Sequence, residues 1–255
     1  MLDRIMLDAR TRGDEVVGCA NLFRQAAERA APARSFIDAI RGPGLAVIAE
    51  VKRRSPSRGV LAAGLDATGQ ARIYEQAGAA AVSVLTEPGH FDGSLDDLAA
   101  VRDAVDLPLL RKDFLVEPAQ VWEARAHGAD AVLLIAAILG DGDLRRMMAA
   151  ADDAGVDALV EVHDAHEAAR AVDAGAVLIG VNNRDLTTFE VNLAVAEALA
   201  PILAQNGIIA VAESGIHVAA DARRMAAAGY DAVLVGEALV TSADPGTALH
   251  ALVAG

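Results

Sequence analysis

Lysine occurs only twice in this chain, at Lys52 and Lys112, and arginine supplies the rest of its 22 basic residues. Arginine stays charged in any protein setting, whereas a lysine changes its proton affinity with its surroundings. Two isolated lysines in an arginine-rich chain are therefore the first candidates for proton chemistry. Each follows an apolar run. Lys112 sits in Pro108-Leu-Leu-Arg-Lys-Asp-Phe114, which reads as a short buried strand whose last residues turn polar. Alone, Lys112 would suit a Schiff-base enzyme as well as a general acid.

Other residues of the same kind recur at the ends of apolar runs. Glu50 precedes Lys52, and Glu161, Asn182 and Arg184, Glu213 and Ser214, and Gly236 and Glu237 close later runs. Carboxylates and ammoniums brought to one place shift each other's pKa and can serve as general acids and bases. Ser214-Gly215-Ile216 and Gly236 leave space for an anion to approach the backbone, and Arg184 adds charge; together they predict a phosphate site. Ser55 follows the first lysine. Phe91 and Phe114 follow the second and third runs and are expected to wall an aromatic pocket or to pack in the core.

These residues need elements to position them. Apolar segments at 45–51, 81–86, 107–110, 131–136, 158–162, 177–181, 208–212 and 232–235 read as strands. Most are solidly apolar, as parallel strands buried on both faces are. Ala-rich helical stretches separate them. Glycine begins the helix-to-strand joint at Gly78, Gly128, Gly155, Gly175 and Gly229, a position where it ends helices in a left-handed conformation. Eight βα units predict an α/β chain folded as a (β/α)8 TIM barrel over 45–255. An open doubly wound sheet is the alternative, weakened because no G-x-G-x-x-G follows the first strand. Ligands of parallel α/β folds bind at the carboxyl ends of strands, and here those ends are polar except in the fourth, which runs into Ala136-Ala137. Asp130, Asp157 and Asp231, at the opposite ends, read as connector residues.

Residues 1–44 differ and predict an N-terminal helical extension. Leu2, Ile5, Met6 and Ala9 share one helical face, a second helix covers 21–31 before Pro32, and a third starts at Ser35, with Asp38 as its capping partner.

A composition 54% hydrophobic and 3% aromatic is that of a globular chain with an Ala/Val/Leu/Ile core. A net charge of −14 counts against nucleic acid and anionic membrane as partners, but not against a small anionic substrate. The single cysteine, Cys19, cannot close an internal disulfide; it is expected to pack as a buried thiol in a cytoplasmic protein. No apolar leader is visible, and the longest apolar run, 131–139, is too short to span a bilayer. His163 and His166 lack a third partner for a metal, no nucleotide motif is present, and no cofactor is expected. Trp122 is expected to pack on the third barrel helix.

At these residues the sequence resembles indole-3-glycerol phosphate synthase. The matching blocks are Ile48-Ala-Glu-Val-Lys-Arg-Arg-Ser-Pro-Ser57, Leu110-Arg-Lys-Asp-Phe114, Leu159-Val-Glu-Val162, Gly180-Val-Asn-Asn-Arg-Asp-Leu186, Ala212-Glu-Ser-Gly-Ile216 and Val235-Gly236. They occur in the family's order, with its helical extension before them. The resemblance implies a carbon–carbon lyase of tryptophan biosynthesis that turns 1-(2-carboxyphenylamino)-1-deoxyribulose 5-phosphate into indole-3-glycerol phosphate; a monomer is expected, although the sequence does not give the oligomeric state. It implies Lys112 as general acid and Glu161 as proton acceptor in dehydration. Lys52 would hold the substrate carboxylate; which lysine serves which step stays open. Glu50, Asn182 and Glu213 would position substrate and tune the lysines, while Ser55, Arg184, Ser214, Gly215 and Gly236 would bind substrate or phosphate. Glu237 stands where some members carry a small hydroxyl residue, and its carboxylate is expected to point away from the phosphate. The 53–64 segment, rich in Ser, Pro and Gly, reads as a lid.

Two other functions compete. A phosphoribosylanthranilate isomerase would need a Cys/Asp pair at strand ends, which Cys19 cannot supply. A catalytically silent scaffold barrel leaves the lysine pair unexplained.

Overall fold

The computed structural model describes residues 2–186 and 188–254, with the side chains of Leu2 and Asp3 left out. Met1, Thr187 and Gly255 lie outside the described residues. Eight parallel strands close into a barrel: β1 (Ala46–Val51), β2 (Ala81–Leu85), β3 (Leu109–Lys112), β4 (Ala131–Ile135), β5 (Asp157–Val162), β6 (Leu178–Asn182), β7 (Ile209–Glu213) and β8 (Ala232–Val235). Each pairs with the next in sequence, and β8 returns to β1 with Ala46 opposite Ala232. That last pairing excludes the open doubly wound sheet. The expected strands match to within a residue or two. β3 is the largest shift: it runs to Lys112 instead of stopping at Leu110. Arg111 reads as a strand end in sequence, but its guanidinium is buried outside the barrel against Glu123, Asp113 and Thr86.

Alternation along the strands sorts the apolar residues into two cores. Val47, Ala49 and Val51 of β1 point outward into the layer between barrel and helices, as do Val82 and Val84 of β2 and Val160 and Val162 of β5. Ile48, Leu110, Leu133, Leu159, Leu178, Ile209, Val211 and Leu234 point inward and fill the barrel. The joint glycines turn the chain as expected, with φ between 67° and 94° at Gly78, Gly128, Gly155, Gly175 and Gly229.

The extension comprises α1 (Leu2–Val17), α2 (Ala20–Arg29) and α3 (Phe36–Ile40). Ile5 and Ala9 of α1 are buried. Ser35 caps α3, its hydroxyl accepting the Asp38 N–H at 3.1 Å. Phe36 and Ile40 are fully buried and belong to the core inside the barrel, so α3 plugs the amino-terminal end. The connector aspartates hold the plug. Asp157 accepts the Phe36 and Ile37 N–H groups at 2.9 and 3.1 Å, and Asp130 accepts the Arg34 N–H at 2.8 Å. Trp122 lies on the helix Pro118–Ala126 after β3, with the Arg24 guanidinium of α2 4.5 Å from its ring centre. Cys19 corrects the expectation: at the junction of α1 and α2 it is exposed, not packed.

Phe36→Ala should empty the lower barrel and cost about 3–5 kcal/mol, as deletion of a buried phenylalanine side chain does. Urea unfolding monitored by circular dichroism measures it, and a loss under 1 kcal/mol would rule out the plug as a core element.

Candidate active site

The inward positions of each strand change character along the barrel. β1 runs Ile48, Glu50, then Lys52; β3 runs Leu110 then Lys112; β5 runs Leu159 then Glu161; β7 runs Ile209, Val211, then Glu213. The period of two therefore sets Glu50, Lys52, Lys112, Glu161 and Glu213 at the carboxyl ends, above an apolar floor. β4 keeps its floor apolar to the top with Leu133 and Ile135. All fourteen sequence-predicted residues line one cavity open to solvent: Glu50, Lys52, Ser55, Phe91, Lys112, Phe114, Glu161, Asn182, Arg184, Glu213, Ser214, Gly215, Gly236 and Glu237.

At its centre the Lys112 ammonium donates to Glu161 Oε2 and to Glu213 Oε2, each at 3.0 Å. Burial alone would push the lysine pKa down, but the carboxylates of Glu161, Glu213 and Glu50 outweigh it and hold the pKa above its usual value. The two carboxylates diverge. Burial raises Glu161 as well, but Lys112, His163 and a hydrogen bond from Asn182 bring it below the ordinary range. Glu213 is pushed up to about 7, because its burial and the nearby Glu161 charge exceed what Lys112 returns. Glu213 Oε1 is buried with no hydrogen-bond partner among the described residues. Gly180 makes room for it: a Cβ there would lie 2.1 Å from that oxygen.

Lys52 pairs with Glu50 at 2.5 Å, beside Gly236, where a Cβ would lie 2.2 Å from Glu50 Oε1. Gly236 thus gives space to the Glu50–Lys52 pair. After β7 the backbone takes two left-handed residues in succession, Ser214 at φ 64° and Gly215 at φ 83°. For serine that conformation is strained. Asn183 holds the turn by donating to the Glu213 and Ser214 carbonyls at 3.1 and 3.2 Å. The Glu237 carboxylate pairs with Arg58 at 3.1 Å and lies 3.8 Å from Arg184. The rings of Phe91 and Phe114 stand 6.1 Å apart, tilted by 41°.

The 53–64 segment borders the cavity through Ser55, Pro56 and Ser57. Its Arg54–Ser55 and Gly59–Val60 pair as a short antiparallel ribbon, and Arg53 is clamped by Asp97 at 2.6 and 2.8 Å.

Sequence reasoning missed the extension's part in the site. Ile5 of α1 lines the cavity. Arg12 of α1 donates to Glu87 at 2.9 Å and to Asp113 at 2.8 Å. Glu87 caps the short helix Pro88–Phe91 that carries Phe91, and Asp113 adjoins Lys112 and Phe114. No spacing in the sequence links Arg12 to either carboxylate. Leu133 and Ile135 read only as core, although their period with Ala131 points them inward. The two histidines separate: His166 is exposed, and His163 lies beside Glu161.

The family model for indole-3-glycerol phosphate synthase matches residues 2–252. The chain belongs to the indole-3-glycerol phosphate synthase family. Among curated relatives, the indole-3-glycerol phosphate synthase of Parafrankia sp. is 52% identical over 245 residues, covering 96% of this chain and 90% of that protein. The enzyme of the same name from Mycolicibacterium smegmatis is 50% identical over 253 residues, covering 99% and 92%. Indole-3-glycerol phosphate synthase 1 of Streptomyces coelicolor is 53% identical over 232 residues, covering 91% and 86%. Among solved structures, a 3-hexulose-6-phosphate synthase superposes with a TM-score of 0.64 at 17% identity, over 82% of this chain and 99% of that one. At that identity the match speaks to the barrel alone.

The raised Glu213 pKa has a consequence for stability. An unfolded glutamate releases its proton near 4.5 and the folded one near about 7. Across that window the folded state holds the extra proton, so stability falls as pH rises. Glu213→Gln keeps the shape without the charge. Its melting temperature should exceed that of the unaltered protein at pH 8, and the gain should vanish near pH 5, as read by calorimetry. A gain unchanged between the two pH values would refute the assignment.

Proposed function

We propose that the charged cluster at the mouth carries the acid–base chemistry of indole-3-glycerol phosphate synthesis, the carboxy-lyase step of tryptophan biosynthesis that this chain performs. The observation that carries the reading is the Lys112 ammonium, set between Glu161 and Glu213 at 3.0 Å from each. Three surrounding carboxylates keep it protonated, which suits an acid and counts against a Schiff base, since that requires a neutral amine.

In this reading Lys112 gives its proton to the substrate ketone oxygen. The anilino nitrogen pushes electrons into the ring, and the ring carbon bearing the carboxylate closes on the carbonyl carbon. The carboxylate then leaves as CO₂, and the electrons of its bond restore the aromatic ring. Dehydration follows: the new hydroxyl leaves as water with a proton from an ammonium, and Glu161 takes a proton from the adjacent methylene carbon. The pyrrole double bond forms there. Lys52 holds the substrate carboxylate until it leaves, in exchange for its resting partner Glu50. Asn182 and Glu213 orient Glu161 and Lys112. Phe91, Phe114 and the apolar floor take the anilino ring.

The phosphate end is assigned to Ser214, Gly215 and Gly236, with Arg184 supplying charge and Ser55 a hydroxyl. Glu237 lies against the Arg58 and Arg184 guanidiniums, so an arriving phosphate replaces one anion by another. A cytoplasmic setting belongs to the same reading, since Cys19 has no second cysteine to join. Among the described residues, no helix is long and apolar enough to cross a membrane.

Lys112→Ala should lower kcat by about 10²–10⁴, the range of general acid catalysis. Indole fluorescence developing on addition of 1-(2-carboxyphenylamino)-1-deoxyribulose 5-phosphate reports it, and full turnover by that variant would end the proposed mechanism. Arg184→Ala should instead raise KM about tenfold and leave kcat within a few-fold, because the phosphate is bound alike in substrate and transition state. A change confined to kcat would place Arg184 in the chemistry.

A further inference from the structure

His163 follows β5 by one residue and takes no part in the chemistry so far described. Its ring is mostly buried, with 15% of the side chain exposed. One face of its environment is settled. Glu167, in the first turn of the helix Ala165–Asp173, accepts the His163 backbone N–H at 2.8 Å, and the same oxygen lies 3.0 Å from Nδ1. Glu167 is itself fixed, since its N–H donates to the capping carboxylate of Asp164 at 2.8 Å. One carboxylate thus grips both backbone and ring, which determines where the other ring nitrogen points. Nε2 is buried, makes no hydrogen bond among the described residues, and faces Glu161 Oε1 at 3.4 Å. The opposite oxygen of Glu161 is the one bonded to Lys112.

We propose that His163 is a positioning residue for Glu161, holding Oε1 of that carboxylate so that Oε2 stays on Lys112 and faces the substrate. The inference rests on the reading of Glu161 as the proton acceptor. The physical argument is rotational. A glutamate side chain turns broadly about its last bond. Lys112 restrains one oxygen, but that ammonium moves when it gives up its proton. A second restraint, on the other oxygen, keeps the carboxylate in place through that step. Misplacement by about 1 Å is enough to cost a factor of 10² in rate.

The charges facing the ring are Glu167 from its own helix, Glu161 from β5 and Glu213 from β7, with Lys112 of β3 beyond Glu161. Burial lowers the imidazole pKa, but those carboxylates outweigh it and hold the pKa above its ordinary value, which favours the doubly protonated ring with one nitrogen toward each carboxylate. Its positive charge in turn helps to keep Glu161 ionised.

The test measures kcat, KM and the pH dependence of kcat/KM for the unaltered enzyme and for His163→Leu, His163→Gln, Glu167→Gln and Glu161→Gln. His163→Leu should lower kcat about tenfold with KM within twofold, and the acid limb should move upward by about half a pH unit. Loss of the imidazolium makes Glu161 easier to protonate. His163→Gln, which keeps a donor near the Nε2 position, should recover kcat to within threefold. Glu167→Gln loosens the ring without touching Glu161 and should shift the limb in the same direction by less. Turnover by His163→Leu within twofold of the unaltered enzyme overturns the proposal. So does a loss with no shift of the limb and no recovery by glutamine, which marks a packing role. Should His163→Leu fail to fold by circular dichroism, Glu167→Gln decides: an unshifted limb and unchanged kcat overturn the proposal. Full activity of Glu161→Gln would instead remove the proton-acceptor assignment, and the inference with it.

Discussion

A buried ammonium between two buried carboxylates is the constraint on which the rest of the molecule depends. Lys112, Glu161 and Glu213 each lose hydration at the top of the barrel, and none could stay charged there alone. One positive charge against two negative ones does not balance, and the imbalance falls on Glu213, pushed up to about 7. The cluster is thereby held in a definite proton distribution before substrate arrives: an ammonium on one side, an ionised carboxylate on the other. Pre-set charges of this kind need no reorganisation when the reaction begins. They reduce folding stability, a cost common where function needs unfavourable burial.

The barrel supplies the geometry for this arrangement by simple alternation. Each strand turns every second side chain inward, so an apolar floor and a charged rim come from the same rows. Glycine appears where the charges need space. Gly180 faces Glu213, and Gly236 faces the Glu50–Lys52 pair. The extension secures both ends. α3 fills the lower opening with Phe36 and Ile40, while Arg12 of α1 ties the carboxylates next to Phe91 and Lys112. The protein is strongly acidic, with a net charge of −14, yet Lys52, Lys112, Arg58 and Arg184 gather at the mouth where an anionic substrate would enter.

Much of this was legible in the sequence. The solid apolar runs and joint glycines predict eight parallel strands, and polar residues at their carboxyl ends predict where the chemistry lies. The rarity of lysine singles out Lys52 and Lys112. What these residues could not say is which neighbours they meet. Arg12 and Asp113 are far apart in the chain and share no pattern. β3 runs two residues past its apolar stretch, because a buried arginine paired on the outer face looks like a strand end in one dimension. Cys19 was expected to pack, but a junction between two helices left it at the surface. Nor does any spacing in the sequence link Glu237 to Arg58 and Arg184, which its carboxylate meets in the fold.

The sequence by itself determined the period, order and polarity of the strands, because alternation and turn chemistry are local. It also carried the family motifs that name the reaction. Only the tertiary structure decided how charge is shared: which carboxylate stays ionised, which is pushed toward its protonated form, and that His163 backs Glu161. Proton affinity depends on distance and burial in three dimensions. Lys112 and Glu213 are 101 residues apart in the chain and 3.0 Å apart in the fold.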